Sequence, residues 1–145
     1  MRKIIIILAV IFSIAAIGQQ PQKPSQAPVK RPAALPLKVY YTMRDSCNYL
    51  DIVFITGKGG SMSLDNVRSI RGFTSFVTTQ PAQKRPNAPL DGTLMWQING
   101  KAYQTGNLYF NSDSSAYITF ERDGKEYVNA LTPDGAGFLR TRGGR

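Results

Sequence analysis

The chain has 145 residues, a formal net charge of +9, a single cysteine and no histidine. The absence of histidine excludes a Ser-His-Asp triad or a Cys-His pair within this chain, and it removes the commonest transition-metal ligand. One cysteine without histidine cannot form a zinc site, and it has no partner for an internal disulfide. The sequence therefore predicts a protein with neither a metal nor a cofactor.

The N-terminus has the three parts of an export signal peptide. Residues 1–3 carry two positive charges, and residues 4–17 are apolar apart from one serine. Ala16 and Gly18 provide the small side chains that a cleavage site needs. The apolar run is shorter than the ~20 residues with which a helix spans a bilayer. We therefore expect a cleaved signal peptide, residues 1–18, and a secreted or periplasmic protein. An uncleaved N-terminal anchor is the alternative, and it is the only predicted insertion into a membrane.

Residues 19–36 hold five of the nine prolines and no acidic residue. Proline lacks the backbone donor that helices and sheets use, so this segment is predicted to be an extended linker. Three cations in it, Lys23, Lys30 and Arg31, are candidate contacts to an anionic surface such as membrane phosphate or an acidic polysaccharide. A soluble spacer without a binding role is the alternative interpretation.

A β-rich domain is predicted from residue 37 to residue 139, which is enough chain for one modest core. Its first half contains three runs rich in β-forming residues, and the predicted strands are residues 37–42, 48–56 and 73–79. Apolar residues spaced by three from Leu64 to Phe73 predict one short helix with Ser63 as its N-cap. Residues 80–89 contain three prolines and predict a loop.

Residues 57–61 form a glycine-rich segment directly after the second predicted strand. Their spacing does not match the G-x-x-x-x-G-K-[ST] pattern of a phosphate-binding loop. We therefore expect a flexible turn or a β-bulge here.

Two β-hairpins are predicted in the second half of the domain, at residues 93–105 and 117–131. Their centres are Asn99-Gly100 and Asp123-Gly124, which tolerate the positive φ angles of a type I′ turn. A further short strand is predicted at residues 108–111, between the two hairpins.

Two-residue turns would place Trp96 opposite Tyr103, and Phe120 opposite Tyr127, across the hairpins. Trp96, Tyr103 and Tyr127 are therefore the candidate ligand face, since aromatic side chains on a sheet stack on sugars or bases. Membership of the hydrophobic core is the preferred interpretation of the aromatic residues, because a domain of this size needs them there.

Glu121 and Glu126 should also lie opposite each other across the second hairpin. A buried pair of carboxylates is the remaining route to catalysis, as in glycoside hydrolysis. Because Arg122 and Lys125 lie beside them in the sequence, solvated carboxylates are the preferred interpretation, and no catalytic residue is predicted.

Cys47 is predicted to be buried as a small hydrophobic residue, with a disulfide-linked dimer as the alternative. Residues 140–145 contain three arginines and two glycines and predict a flexible basic tail.

The predicted fold class is mainly β: a small antiparallel sandwich or partly open barrel of six to eight strands with at most one short helix. The predicted function is that of a non-enzymatic binding or structural module of the cell envelope or extracellular space. Its partner would be another protein there or an anionic polymer, and no nucleic-acid role is expected. A small hydrolase that uses carboxylates alone, acting on an envelope or extracellular polymer, is the alternative.

Overall fold

The computed structural model describes residues 32–111 and 115–143. The predicted signal peptide and most of the predicted linker, with Lys23, Lys30 and Arg31, lie outside the described residues. The elements are α1 (Leu37–Asp45), β1 (Tyr49–Phe54), β2 (Gly60–Leu64), α2 (Val67–Thr74), β3 (Val77–Pro81), β4 (Gly92–Ile98), β5 (Lys101–Tyr109), β6 (Tyr117–Arg122), β7 (Lys125–Leu131) and α3 (Pro133–Gly143).

The seven strands form one open antiparallel sheet in the order β2-β1-β4-β5-β6-β7-β3. The prediction of a mainly β protein with six to eight antiparallel strands is therefore confirmed. The prediction of a sandwich or barrel with at most one helix is wrong. Three helices contribute to the hydrophobic core, and so they take the place of the second sheet that a sandwich would use.

The first predicted strand, residues 37–42, is instead part of helix α1. Val39, Tyr40 and Met43 are its buried residues, and their spacing is that of one face of a helix. Pro36 occupies the N-cap position, where a proline does not interrupt helical hydrogen bonding. Burial of this face outweighs the β-propensity of the individual side chains, which is about 1 kcal/mol at most per residue.

The predicted short helix is present as α2, but it begins later than predicted. Asn66 is the N-cap, and its side chain accepts a hydrogen bond from the Ser69 amide at 2.8 Å. Leu64 belongs to the unpredicted strand β2, so the predicted Ser63 cap is wrong. Strand β3 starts only at Val77, because α2 runs through Thr74.

Both predicted hairpin turns are confirmed. Asn99 and Gly100 have φ angles of 50° and 76°, and Asp123 and Gly124 have φ angles of 52° and 69°. Two successive positive φ angles define the type I′ turn, whose twist matches that of the flanking strands.

The predicted pairing of aromatic residues is confirmed in one hairpin and wrong in the other. Phe120 lies opposite Tyr127. Trp96 lies opposite Gln104 rather than Tyr103, because a β-bulge shifts the register between Trp96 and Gln97.

The predicted flexible tail is also wrong over residues 140–143, which form the end of α3. Pro133 starts this helix, where its missing N–H is not needed. Ala136 and Leu139 are buried in the hydrophobic core. The Arg140 Nε donates a hydrogen bond to the Phe110 carbonyl at 2.7 Å, which ties the helix to the end of β5.

One face of the sheet lies against the helices, and a long loop crosses the other face. Residues 82–91 must pass over β7, β6 and β5, because β3 lies at one edge of the sheet and β4 near the other. On the way, the Arg85 amide donates to the Tyr117 hydroxyl at 3.3 Å, and Lys84 pairs with Glu126 at 2.6 Å. The proline-rich loop therefore covers the β6–β7 part of the sheet and leaves the β2–β1 part uncovered by these contacts.

Two glycines of α3 give a matched test of its packing. A Cβ on Gly135 would lie 2.5 Å from the Phe76 Cβ, whereas a Cβ on Gly137 would meet no atom within 4 Å. We expect Gly135→Ala to lower the free energy of unfolding by about 1–3 kcal/mol through overpacking. Gly137→Ala should raise it by about 0.5–1 kcal/mol, since alanine favours the helix. Urea denaturation followed by circular dichroism distinguishes them, and equal effects of both changes would contradict this packing.

Candidate functional site

Trp96, the centre of the predicted ligand face, is part of the core. Its side chain is fully buried, and its Nε1 donates a hydrogen bond to the Thr74 Oγ1 at 3.1 Å. The ring packs against Phe73 and Phe120, with ring centroids 6.4 and 5.9 Å away. No ligand can stack on an indole that is enclosed in this way.

Tyr103 and Tyr127 are half-buried and pack against the edge of the same core. The Arg122 guanidinium lies 5.2 Å from the centroid of the Tyr103 ring. Tyr127 is bridged by Ala33 of the chain that precedes α1. The two tyrosines and the enclosed Trp96 therefore do not form one open aromatic platform.

Glu121 and Glu126 lie opposite each other, as predicted, and both line a hollow of about 200 Å³. Both side chains belong to exposed residues. The Glu126 carboxylate forms an ion pair with Lys84 at 2.6 Å. This arrangement is a solvated acid pair with one member neutralised by a lysine.

Cys47 is a free cysteine and is fully buried, as predicted. Burial raises the pKa of its thiol from 9.0 to about 11. The thiolate is the reactive form of cysteine, so a raised pKa and an enclosed sulfur both suppress its chemistry.

We expect Cys47 to react with a thiol reagent at pH 8 only after the protein unfolds. Above pH 9 the unfolded chain loses the thiol proton more readily than the folded protein. The free energy of unfolding should therefore fall between pH 9 and pH 11 more steeply in the wild type than in Cys47→Ala. Parallel pH profiles for the two proteins, or equal thiol reactivity with and without urea, would contradict this expectation.

Asp91 is a buried acidic residue directly before Gly92, the first residue of β4. Its Oδ2 accepts hydrogen bonds from the amides of Phe110 at 2.6 Å and Asn111 at 2.9 Å. Its Oδ1 accepts one from the Asn111 side chain at 2.8 Å, and its carbonyl accepts one from the Ile55 amide at 2.9 Å. Asp91 therefore joins the end of β1, the start of β4 and the end of β5, which is a structural role.

The two edges of the sheet differ in how well they are protected. The β3 edge ends in Pro81, which has no backbone donor, and its register with β7 shifts between Val77 and Pro81. The buried Asn129 accepts a hydrogen bond from the Leu35 amide and donates one to the Thr78 carbonyl. Proline and an irregular register are two of the usual means by which proteins block a sheet edge.

The β2 edge has none of these protections in the described residues. Its five residues contain no proline and no charged side chain, and no described strand pairs with its outer side. Met62 and Leu64 are half-buried against the core, while Ser61 and Ser63 are exposed. An unpaired edge of this kind offers a row of backbone donors and acceptors to another chain.

One hydrogen bond indicates which residues of β2 face outward. The Ile55 amide, directly after β1, donates to the Asp91 carbonyl, directly before β4. The odd-numbered residues of β1 therefore direct their backbone N–H and C=O groups toward β4. Successive strand residues alternate between their two neighbours, so even-numbered residues of β1 bond toward β2. Met62, which pairs with one of them, bonds back to β1. The backbone groups of Ser61 and Ser63 therefore face the open side.

A hollow of about 250 Å³ lies at the start of β2. The residues that line it are Phe54, Gly59, Gly60, Ser61, Met62 and Arg142. Arg142 is exposed, and its guanidinium lies 5.7 Å from the centroid of the Phe138 ring. The turn that leads into the hollow carries a second exposed cation, Lys58, and is a turn as predicted.

An apolar patch, formed by Val53 and Ile55, lies beside β2 on the uncovered face of the sheet. Val53 lies directly opposite Ser61 and is 46% exposed. Ile55 follows at the end of the same strand and is 54% exposed. The candidate functional site is therefore the open β2 edge together with this apolar patch and the hollow at the start of β2, where Arg142 and Lys58 lie.

Comparison of the chain with family models, with curated proteins and with solved structures gave no match. Among residues 32–111 and 115–143, no helix combines the length and the apolar character needed to cross a membrane. The same residues contain no group of three or more side chains of the metal-binding types His, Cys, Asp and Glu.

Proposed function

We propose that this chain is a non-enzymatic binding module that recruits a protein partner by adding an extended segment of that partner to the β2 edge. The single observation that carries the proposal is the asymmetry of the sheet. One edge contains a proline and has an irregular register, whereas β2 has neither and is open in the described residues. Strand addition of this kind obtains affinity from backbone hydrogen bonds.

The side chains along β2 support the same proposal. Met62 and Leu64 present half-buried apolar surface on the helix side, and Val53 presents exposed apolar surface on the other side. A bound strand places alternate side chains on the two faces of the sheet. Its apolar residues would therefore bury surface on both sides, which gives the recognition some dependence on sequence.

The location proposed for this module is the cell envelope or the extracellular space. Support for it comes from the basic start and the apolar run of residues 1–17. Its test is the intact mass of protein recovered from the envelope and medium fractions. A mass that begins at Gln19 supports export with cleavage, and a full-length protein in the cytosol contradicts it.

Binding at β2 is tested with a display library of random heptapeptides fused so that their C-termini are free. We expect the wild-type protein to enrich peptides with apolar residues at alternate positions. Ser61→Pro removes an outward-facing N–H and should weaken binding of these peptides at least tenfold. Its free energy of unfolding should change by less than about 1 kcal/mol, because that N–H has no partner within the sheet.

The matched control is Ser61→Ala, which removes the hydroxyl and keeps the backbone donor. It should bind the enriched peptides as the wild type does. Equal enrichment by the wild type and by Ser61→Pro, or no enrichment by the wild type, would overturn the proposed function.

A further inference from the structure

We infer that the β2 edge binds the C-terminal end of its partner, with the terminal carboxylate placed against Arg142 in the hollow at the start of β2. This inference rests on the proposed function, which it deepens by naming the part of the partner that is recognised. It follows from the direction in which a strand would be added, from the charges along the edge and from the shape of the hollow.

Direction is set by the sheet, in which each of the six strand pairs is antiparallel. A segment added in the same manner runs opposite to β2. Its C-terminal end then lies beside Gly60, where β2 starts, and its earlier residues lie beside Leu64, where β2 ends. The hollow is therefore at the position of the last residue of the bound segment.

The charged side chains along the edge also favour a carboxylate at the start of β2. Arg142 and Lys58 lie at the start of β2, and Asp65 follows its last residue. No acidic side chain lines the hollow. The planar guanidinium of arginine binds a carboxylate through two parallel hydrogen bonds, which makes Arg142 the natural contact for a chain terminus.

The hollow also has room for a terminal residue. Gly59 and Gly60 have no side chains, and a Cβ built on Gly60 would meet no atom within 4 Å. Phe54 and Met62 provide an apolar wall. A carboxylate at Arg142 and an apolar last side chain against this wall would fill the two kinds of surface that the hollow offers.

A second copy of the chain fits this edge less well than a peptide. If two copies paired their β2 strands antiparallel, Leu64 of each copy would lie beside the glycine-rich turn of the other copy. The chain of the second copy would continue past Leu64 into Asp65 and helix α2, so it would bring no terminal carboxylate to the hollow. A peptide that ends in the hollow has no such continuation.

The inference is tested with the tightest-binding peptide from the library, labelled at its N-terminus and prepared with a free C-terminal carboxylate or a C-terminal amide. Fluorescence anisotropy gives the affinities for the wild type and for Arg142→Gln. We expect amidation to weaken binding to the wild type about tenfold, the effect of one charge-assisted contact. Arg142→Gln should bind both peptides about equally, and the control Arg68→Gln, at an exposed site on α2, should behave as the wild type.

Each outcome separates the inference from the proposed function. Equal binding of acid and amide by the wild type, with both lost in Ser61→Pro, would overturn carboxylate capture and leave strand addition intact. An unchanged effect of amidation in Arg142→Gln would overturn the assignment of Arg142. If no peptide distinguishes the wild type from Ser61→Pro, the proposed function is wrong and the inference falls with it. Dimerisation of the wild type that Ser61→Pro abolishes, measured by sedimentation, would make a second copy the occupant.

Discussion

Replacement of Asp91 by asparagine is expected to lower the free energy of unfolding by about 1–3 kcal/mol. The carboxylate is buried and accepts hydrogen bonds from two backbone amides, those of Phe110 and Asn111. An asparagine has only one acceptor oxygen, so its NH₂ group would face either the two backbone amides or the Asn111 Nδ2, and each of these is a donor. Urea denaturation at pH 7, followed by circular dichroism, measures the loss as a lower transition midpoint.

The matched control is Asp123→Asn, which makes the same chemical change at a side chain that is 88% exposed. It converts an Asp-Gly turn into an Asn-Gly turn, and both sequences favour the type I′ geometry. We expect a change within about 0.5 kcal/mol. If the two variants lost similar stability, the Asp91 hydrogen bonds would not be what holds the three strand ends together.

Replacement of Trp96 by alanine is expected to cost about 3–5 kcal/mol of unfolding free energy, because it leaves a large cavity in the core. Trp96 is fully buried and contacts Phe73 and Phe120. Single domains are stable by only about 5–15 kcal/mol, so this one change removes a large part of the total. Thermal and urea unfolding by circular dichroism measure it.

Trp96→Phe is the graded comparison, since it keeps an aromatic ring and removes the N–H that bonds to Thr74. Its expected cost is about 1–3 kcal/mol, from lost volume and an unpaired buried hydroxyl. A cost for Trp96→Ala no greater than that for Trp96→Phe would contradict the packed position of the indole.

The hairpins could be predicted from the sequence because their signals are local. Asn99-Gly100 and Asp123-Gly124 fix the turns, and the flanking β-formers fix the strands. Helix α1 could not be predicted in the same way, since Val39 and Tyr40 favour strands individually and become helical through burial on one side. The number of layers depends on such segments, which is why the strand count was right and the sandwich was wrong.

The candidate site could not be predicted from the sequence, because it depends on which strands are neighbours in the sheet. An edge is defined by the order of strands, and β2 is an edge only because β1 pairs with β4 on its other side. Arg142 reaches the hollow because α3 extends through residues that resemble a flexible tail. For the aromatic residues, the sequence instead suggested a site that the structure does not have. Trp96 has the chemistry of a ligand-binding platform, but its side chain is enclosed in the core.

The path of the chain through the sheet also bears on how the protein folds. Strand β3 pairs with β7, although some fifty residues separate them in the sequence, and the Leu35 amide bonds to a side chain 94 residues further on. Contacts between such distant residues slow folding, because a long loop must close before they form. During synthesis β3 has no described strand partner until β7 has been made. The complete sheet therefore forms only after β7 has been synthesised, and a chain stopped before residue 125 would leave β3 without its strand partner.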